Sequence, residues 1–286
     1  MTCLGCVVLS QGDRPVELRR ALDSVLAQVG VDVDCVVVGN GWAPVDLPDG
    51  VRAVALPENV GVPEGRNIGA GAVGGEVLLF LDDDAELVGH GMLAAVAERF
   101  DADPSLSVLQ PRAVDPDGAP TSRRHVPRLR ASDPQRGGDV AWFWEGCSFI
   151  RRSALEQAGG WPGDFFYGHE GIEVAWRVID AGGRVEYATD LAVRNPEAPP
   201  FRGERHHYFD ARNRVWVARR NLPAPLAAAY LAVWGTATLV RARSVAAMSG
   251  ALRGFRDGVR LPAGPRRPIR WRTAWRLTRL GRPPVI

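Results

Sequence analysis

The chain has 286 residues, 46% hydrophobic and 24% charged, which suits one large globular domain or a domain with an appendage. All 35 of its basic residues are arginine, which excludes a P-loop and any lysine Schiff base and leaves arginine, backbone N–H groups or metal to meet phosphates. The net charge of +2 is unevenly spread: from Arg241 onward 12 arginines face the single acid Asp257, so that stretch carries +11 and the rest −9, a pattern that implies a surface partner for the tail, such as anionic lipid or nucleic acid.

"CVVLS" (6–10) reads as a buried strand that stops at Gln11-Gly12-Asp13. A helix follows over 15–28, with Asp13 as its expected cap and Pro15 in its first turn. Buried strands are predicted at 34–41 and 51–56, a short helix at 64–73 and a strand at 76–81. Strands that are apolar throughout and alternate with helices predict an α/β sheet covered on both faces. Beyond lie a helix (91–100), a strand (107–114) and an Arg-, Pro- and Gly-rich loop over about 115–139. Residues 140–161 read as strand then helix, 168–183 as a helix closed by two glycines, and 184–196 as a strand.

After about 200 the character changes. Residues 210–223 form an amphipathic helix, and 224–240 hold 17 residues without a charge. That is short of the ~20 needed to span a bilayer, so a buried core helix and membrane contact both stay open. The tail "RRPIRWRTAWRLTRL" (266–280) has the composition of an interfacial membrane helix, and its tryptophans favour a bilayer surface over nucleic acid. No signal peptide is expected at the start of the chain, and four cysteines are too few for a disulfide framework. The expected setting is therefore cytoplasmic and reducing, with peripheral attachment to the inner face of the membrane.

Two motifs mislead. "GAGAVG" (69–74) matches a dinucleotide fingerprint but precedes its strand instead of following it. "HEGIE" (169–173) has Glu173 where a zinc-protease helix needs histidine. The informative stretch is "LLFLDDDAEL" (78–87), a buried strand running into Asp82, Asp83 and Asp84. One aspartate there would read as a solvated loop or a helix cap. Three in succession at the carboxyl end of an α/β strand favour a divalent cation, Mg²⁺ or Mn²⁺. Such an ion takes few protein carboxylates and completes its shell with phosphate oxygens, so it points to a diphosphate substrate.

"ENVGVPEGRNIGAGAVGGEVLLFLDDDAEL" (58–87) resembles the core of family 2 glycosyltransferases, which have the GT-A fold. The resemblance rests on Asn59 and Gly61, on Arg66, Asn67 and Gly69, and on the D-x-D pair Asp82 and Asp84. It continues in "GCSFIRRSALEQAGGWPGDFFYGHEGIEVAWRV" (146–178) and covers roughly residues 5 to 195. It implies a Rossmann-like mixed sheet flanked by helices, with a nucleotide-sugar half over about 1–115 and an acceptor half over about 116–200. A basic helical extension would occupy 201–286. It implies inverting transfer of a sugar from a nucleotide diphosphate sugar to an acceptor hydroxyl, assisted by Mn²⁺ or Mg²⁺. The acceptor would be a glycan, a lipid-linked acceptor or a small molecule. Nucleotide-sugar contacts would come from Ser10, Asn40, Arg66, Asn67, Asp82 and Asp83, and metal ligation from Asp82 and Asp84. Trp144, Gly146 and His169 would line the acceptor side.

The chain departs from the family in three places. Gly171 stands where the second acid of an E-D pair is the usual base, so Glu170 is the first candidate for that role and Glu173 the second. Gly39 replaces an aspartate that recognises the nucleotide base, which leaves its neighbour Asn40 for the task. Asn195 replaces a histidine that can join the metal. A sugar nucleotidyltransferase would want a Gly-rich basic loop after the first strand, and "LSQGDRPVEL" (9–18) lacks one. Gly171 alone favours the remaining alternative, a nucleotide-sugar binder or membrane-docking partner that has lost its base.

Overall fold

A computed structural model describes residues 3–115, 123, 125–129, 134–196, 203–242 and 244–286. Part of the loop expected over 115–139 therefore lies outside the described residues. The parallel half of the sheet contains β1 (Cys3–Ser10), β2 (Asp32–Asn40), β3 (Val51–Leu56) and β4 (Val77–Asp82). The mixed half contains β5 (Glu86–Leu87), β6 (Leu106–Val114), β7 (Gly138–Asp139), β8 (Cys147–Arg151) and β9 (Arg184–Arg194). These form one nine-stranded sheet in the order β3-β2-β1-β4-β8-β6-β9-β5, with β7 pairing β9. β2 and β4 flank β1 in parallel, and β8 then runs antiparallel to β4.

This order places the site. The chain leaves β1 to build β2 and β3 on one side, then returns to lay β4 on the other. Connections diverge at the carboxyl ends of β1 and β4, and a crevice opens there. Register aligns Leu9 with both Val38 and Asp82, and Ser10 with Gly39. Ser10, Asn40 and the aspartate trio thus reach the same edge.

Alternation along β1 feeds two cores. Leu4, Cys6 and Val8 pack with α1 (Pro15–Leu26) and α3 (Met92–Ala102). Val7 packs on the other face, below α2 (Val62–Ala72) and α5 (Glu170–Ala181). The misleading glycine motif belongs to α2: a side chain on Gly69 would overlap Val7 and lie 3.0 Å from Val38 Cγ2, so glycine lets the helix press onto the sheet. Asp13 does not cap α1. The N-cap is Arg14, whose donor-only guanidinium offers nothing to the helix N–H groups and pairs instead with aspartates after β4. The cysteines are free thiols, with Cys6, Cys35 and Cys147 buried.

The C-terminal stretch is tied to the sheet domain. α6 (Glu204–Asn221) sends Asn213 Nδ2 to the carbonyls of Phe165, Tyr167 and Gly168 at 3.0, 2.8 and 2.9 Å. α7 (Ala224–Arg241) follows, and then α8 (Val245–Arg260), a helix the sequence reading passed over. Gly250, Gly254 and Gly258 recur every four residues on α8, and side chains there would collide with α6. Among the described residues no helix is long and apolar enough to cross a membrane. α9 (Trp271–Arg279) docks through Asp180 of α5, whose carboxylate accepts from the Arg270 N–H at 2.8 Å and the Thr273 hydroxyl at 2.5 Å. Its Trp271 and Trp275, one turn apart, are 60% and 66% exposed.

Candidate functional site

A cleft of about 530 Å³ opens over the carboxyl ends of β1 and β4. Ser10, Asn40, Asp82, Asp83, Asp84 and Trp144, each singled out in the sequence as a candidate, line it together. Arg14, Asn59, Phe166, Asn195, Arg205 and Phe209 line it as well. Arg205 and Phe209 come from α6, so the segment after 200 helps build the cleft.

Two guanidinium groups offset the aspartate trio. Arg14 reaches Asp83 Oδ1 at 2.6 Å and also pairs with Asp84. Asp83 is buried; burial lifts its pKa to about 6, against the lowering effects of the Ser10 hydroxyl bond and of Arg14. Asp84 is raised by burial and by Asp82. Asp82, whose side chain is 41% exposed, meets the second guanidinium, Arg66 Nη2, at 3.1 Å.

Arg66 is buried below the cleft, its guanidinium 5.1 Å from the Trp161 ring centroid. The same Nη2 donates to the Glu145 carbonyl at 3.2 Å, and Nη1 lies 3.8 Å from Glu170 Oε1. Glu170 is 4% exposed and raised mainly by burial, with Oε2 lacking a hydrogen-bond partner among the described residues. Glu145 accepts the Gly171 N–H at 2.8 Å on Oε1. Burial, then the charge of Glu170, push Glu145 up to about 7.

Other predicted residues are placed elsewhere. Glu173 is fully buried and held by Arg177 at 2.6 Å, Arg220 at 3.1 Å and Asn221 at 2.8 Å, and does not reach the cleft. Asn67 ties α2 to the chain at Trp161, donating to its carbonyl at 2.9 Å and accepting its N–H at 2.9 Å. His169 holds a left-handed backbone at the head of α5 and bonds Asp210 at 2.9 Å, away from the cleft lining. Asn40 spends its amide on the neighbouring loop: Nδ2 donates to Asn59 Oδ1 at 3.0 Å and the Gly61 carbonyl at 3.2 Å, while Oδ1 accepts from Val60 at 2.9 Å. Gly146 acts through its backbone, its carbonyl accepting the Asp82 N–H at 2.8 Å. A side chain on Gly146 would overlap Trp144 and lie 2.6 Å from Asp82 Oδ2.

The sequence reading missed an aromatic wall. Phe166 and Phe209 stack at 5.1 Å with Arg205 over the Phe166 ring at 4.7 Å, and His125 stacks on Trp144 at 4.4 Å. Phe166 has φ 64°, and α6 arrives from far along the chain, so no local pattern announces the pair.

The donor chemistry of the cleft suits a hard cation. Asp82 and Asp84, the latter paired with Arg14, offer carboxylate oxygens at one strand end, and Asn195 adds a buried Oδ1 without a hydrogen-bond partner among the described residues. Among the described residues no group of three or more His, Cys, Asp or Glu side chains could hold a metal on its own. Two carboxylates and substrate oxygens satisfy a magnesium-like ion without a third acid.

The chain is 27% identical over 200 residues to the pre-mycofactocin glycosyltransferase of Mycobacterium tuberculosis, across 65% of this chain and 39% of that protein. It therefore spans well under half the length of that relative. Among solved structures, S. aureus TarS 1-349 superposes with a TM-score of 0.61 at 14% identity, covering 91% of this chain and 81% of that one. GalNAc-T7 with UDP, GalNAc and Mn²⁺ matches at 0.61 and 16%, covering 90% and 55%. The mannosyltransferase PcManGT from Pyrobaculum calidifontis with GDP-Man and Mn²⁺ matches at 0.54 and 20%, covering 91% and 76%. These likenesses show the GT-A fold. The model of the family described as "Glycosyl transferase family 2" matches residues 13–159, over half of the chain, and the chain belongs to that family of transferases.

Proposed function

We propose that the protein transfers a sugar, with inversion, from a nucleotide diphosphate sugar to an acceptor hydroxyl. The observation that carries this reading is the acidic crevice between β1 and β4, where Asp82 and Asp84 share a cleft with Ser10, Asn40 and Arg14. The family and the Mn²⁺ and nucleotide-sugar complexes named for the structural neighbours support it. Asp82 and Asp84 would hold Mn²⁺ or Mg²⁺, with the Asn195 amide oxygen beside them. The bound ion would act as a Lewis acid, offsetting charge that grows on the leaving diphosphate.

The chain's own residues do the rest. Arg14 balances the trio, and its half-exposed guanidinium is a donor for diphosphate oxygens in a chain without lysine. Asn40 and Asn59 fix the loop bordering the nucleotide end. Trp144 offers an aromatic face to a sugar ring. The proton of the attacking hydroxyl passes to a carboxylate at the head of α5, where Glu145 and Glu170 lie together. Exposed Trp271 and Trp275 beside the arginines of α9 suit peripheral attachment to an anionic membrane face, which favours a lipid-linked or cell-envelope acceptor.

The test is release of nucleoside diphosphate from a panel of UDP-, GDP- and TDP-sugars with Mn²⁺. Turnover of at least one donor that stops on chelation is expected. No turnover with any donor, with or without a glycan or lipid-linked acceptor, would overturn the reading.

A further inference from the structure

Gly171 removes a side chain from the first turn of α5, and the structure shows what fills the gap. A Cβ at 171 would overlap Glu145 Oε1 and lie 2.6 Å from its Cδ and 2.7 Å from its Cγ. The carboxylate of Glu145 instead docks on the Gly171 N–H at 2.8 Å. We infer that Glu145 is the proton acceptor of the transfer reaction, seated in the space that Gly171 leaves open; this rests on the function proposed above.

The neighbours of Glu145 connect it to the cleft. Trp144, on one side in sequence, lines the cleft. Gly146, on the other, binds the backbone of Asp82. Arg66 Nη2 joins the Asp82 carboxylate to the Glu145 carbonyl, so the donor end and this carboxylate share one support. The charged groups acting on it are Glu170 of α5, Arg66 of α2, and Arg282, which follows α9. Burial and Glu170 bring it to about 7, where a carboxylate is both a competent base and substantially ionised.

Arg14 holds Asp83 and Asp84, and three partners saturate Glu173. Glu170 faces Arg66 from a buried position and acts as a positioning residue whose charge tunes Glu145. In the step, the acceptor O–H bond breaks and its proton goes to the Glu145 carboxylate. The acceptor oxygen bonds to the anomeric carbon, and the bond from that carbon to the diphosphate breaks, its electron pair leaving with the nucleoside diphosphate. Glu145 then returns the proton to water.

The experiment compares the full-length parent, Glu145→Gln and the double variant Glu145→Ala/Gly171→Asp. Each is assayed against the UDP-, GDP- and TDP-sugar panel with Mn²⁺, and Mn²⁺–nucleoside diphosphate binding is measured by calorimetry. Glu145→Gln keeps an acceptor for the Gly171 N–H. It should lose ~10²–10⁴-fold in kcat, keep Kd within about twofold, and lose the acidic limb near pH 7 of the parent's pH–rate profile. The double variant restores a carboxylate from the other side of the gap and should regain about tenfold or more over Glu145→Gln. Retained kcat in Glu145→Gln, or an equal loss of nucleotide binding, would overturn the assignment. A parent inert with every donor would instead overturn the function reading itself.

Discussion

Replacing Arg66 by methionine keeps an unbranched apolar side chain but removes the guanidinium that lies over Trp161 beneath the cleft. Its three polar contacts differ in worth. The Asp82 side chain is 41% exposed, so losing that pair costs within ~1 kcal/mol. The Glu170 side chain is only 6% exposed, and leaving such a buried carboxylate without its cation costs ~3–5 kcal/mol. The buried term dominates. Arg66 lowers the pKa values of Glu145 and Glu170, both already raised by burial, so its removal raises them further. Groups with raised folded-state values contribute stability below the unfolded carboxylate value and lose it as pH rises through the folded one, about 7 for Glu145 in the parent. Urea unfolding of Arg66→Met should therefore show a loss of ~3–5 kcal/mol at pH 8.5 that shrinks to ~1 kcal/mol at pH 5.5. A loss below ~1 kcal/mol at pH 8.5, or equal losses at both, would refute this account of the buried cluster.

Three further outcomes follow from the same contacts. Glu173→Gln should destabilise by ~3–5 kcal/mol in urea melts because it leaves Arg177 without its carboxylate and Arg220 with Asp164 alone, while kcat per folded molecule stays within about threefold. Asn40→Ala removes the bonds that hold Asn59, Val60 and Gly61, and should weaken nucleoside diphosphate binding in calorimetry by about tenfold, with a stability loss of ~1–3 kcal/mol. Trp271→Ser/Trp275→Ser should abolish co-sedimentation with phosphatidylglycerol vesicles and leave donor hydrolysis unchanged; unchanged sedimentation would remove α9 as a docking face.

Local patterns carried the sheet. The apolar runs ending at Ser10, Asn40 and Asp82 are strands, and their shared edge follows from strand order. The aspartate trio was legible because like charges after a buried run demand compensation. Its arginines were not: Arg14 lies 70 residues from Asp84, and nothing local marks it as their partner. α8 escaped because a helix with a glycine every fourth residue looks weak until α6 fills the groove. Glu145 escaped because its partner, Gly171, signals by what it lacks. Glu170 and Glu173 share a helix face in sequence, yet Arg220 and Asn221 of α6 hold Glu173, while Glu170 faces Arg66.

The central claim is that the strand end at Asp82 and Asp84 binds a cation together with a nucleoside diphosphate. Mn²⁺ electron paramagnetic resonance on the parent and on Asp84→Asn, with and without UDP, GDP or TDP, tests it most directly. The parent should bind one Mn²⁺, more tightly when the preferred nucleotide is present, and Asp84→Asn should lose at least tenfold in affinity for the pair. Equal Mn²⁺ binding by both proteins, indifferent to every nucleotide, would contradict it.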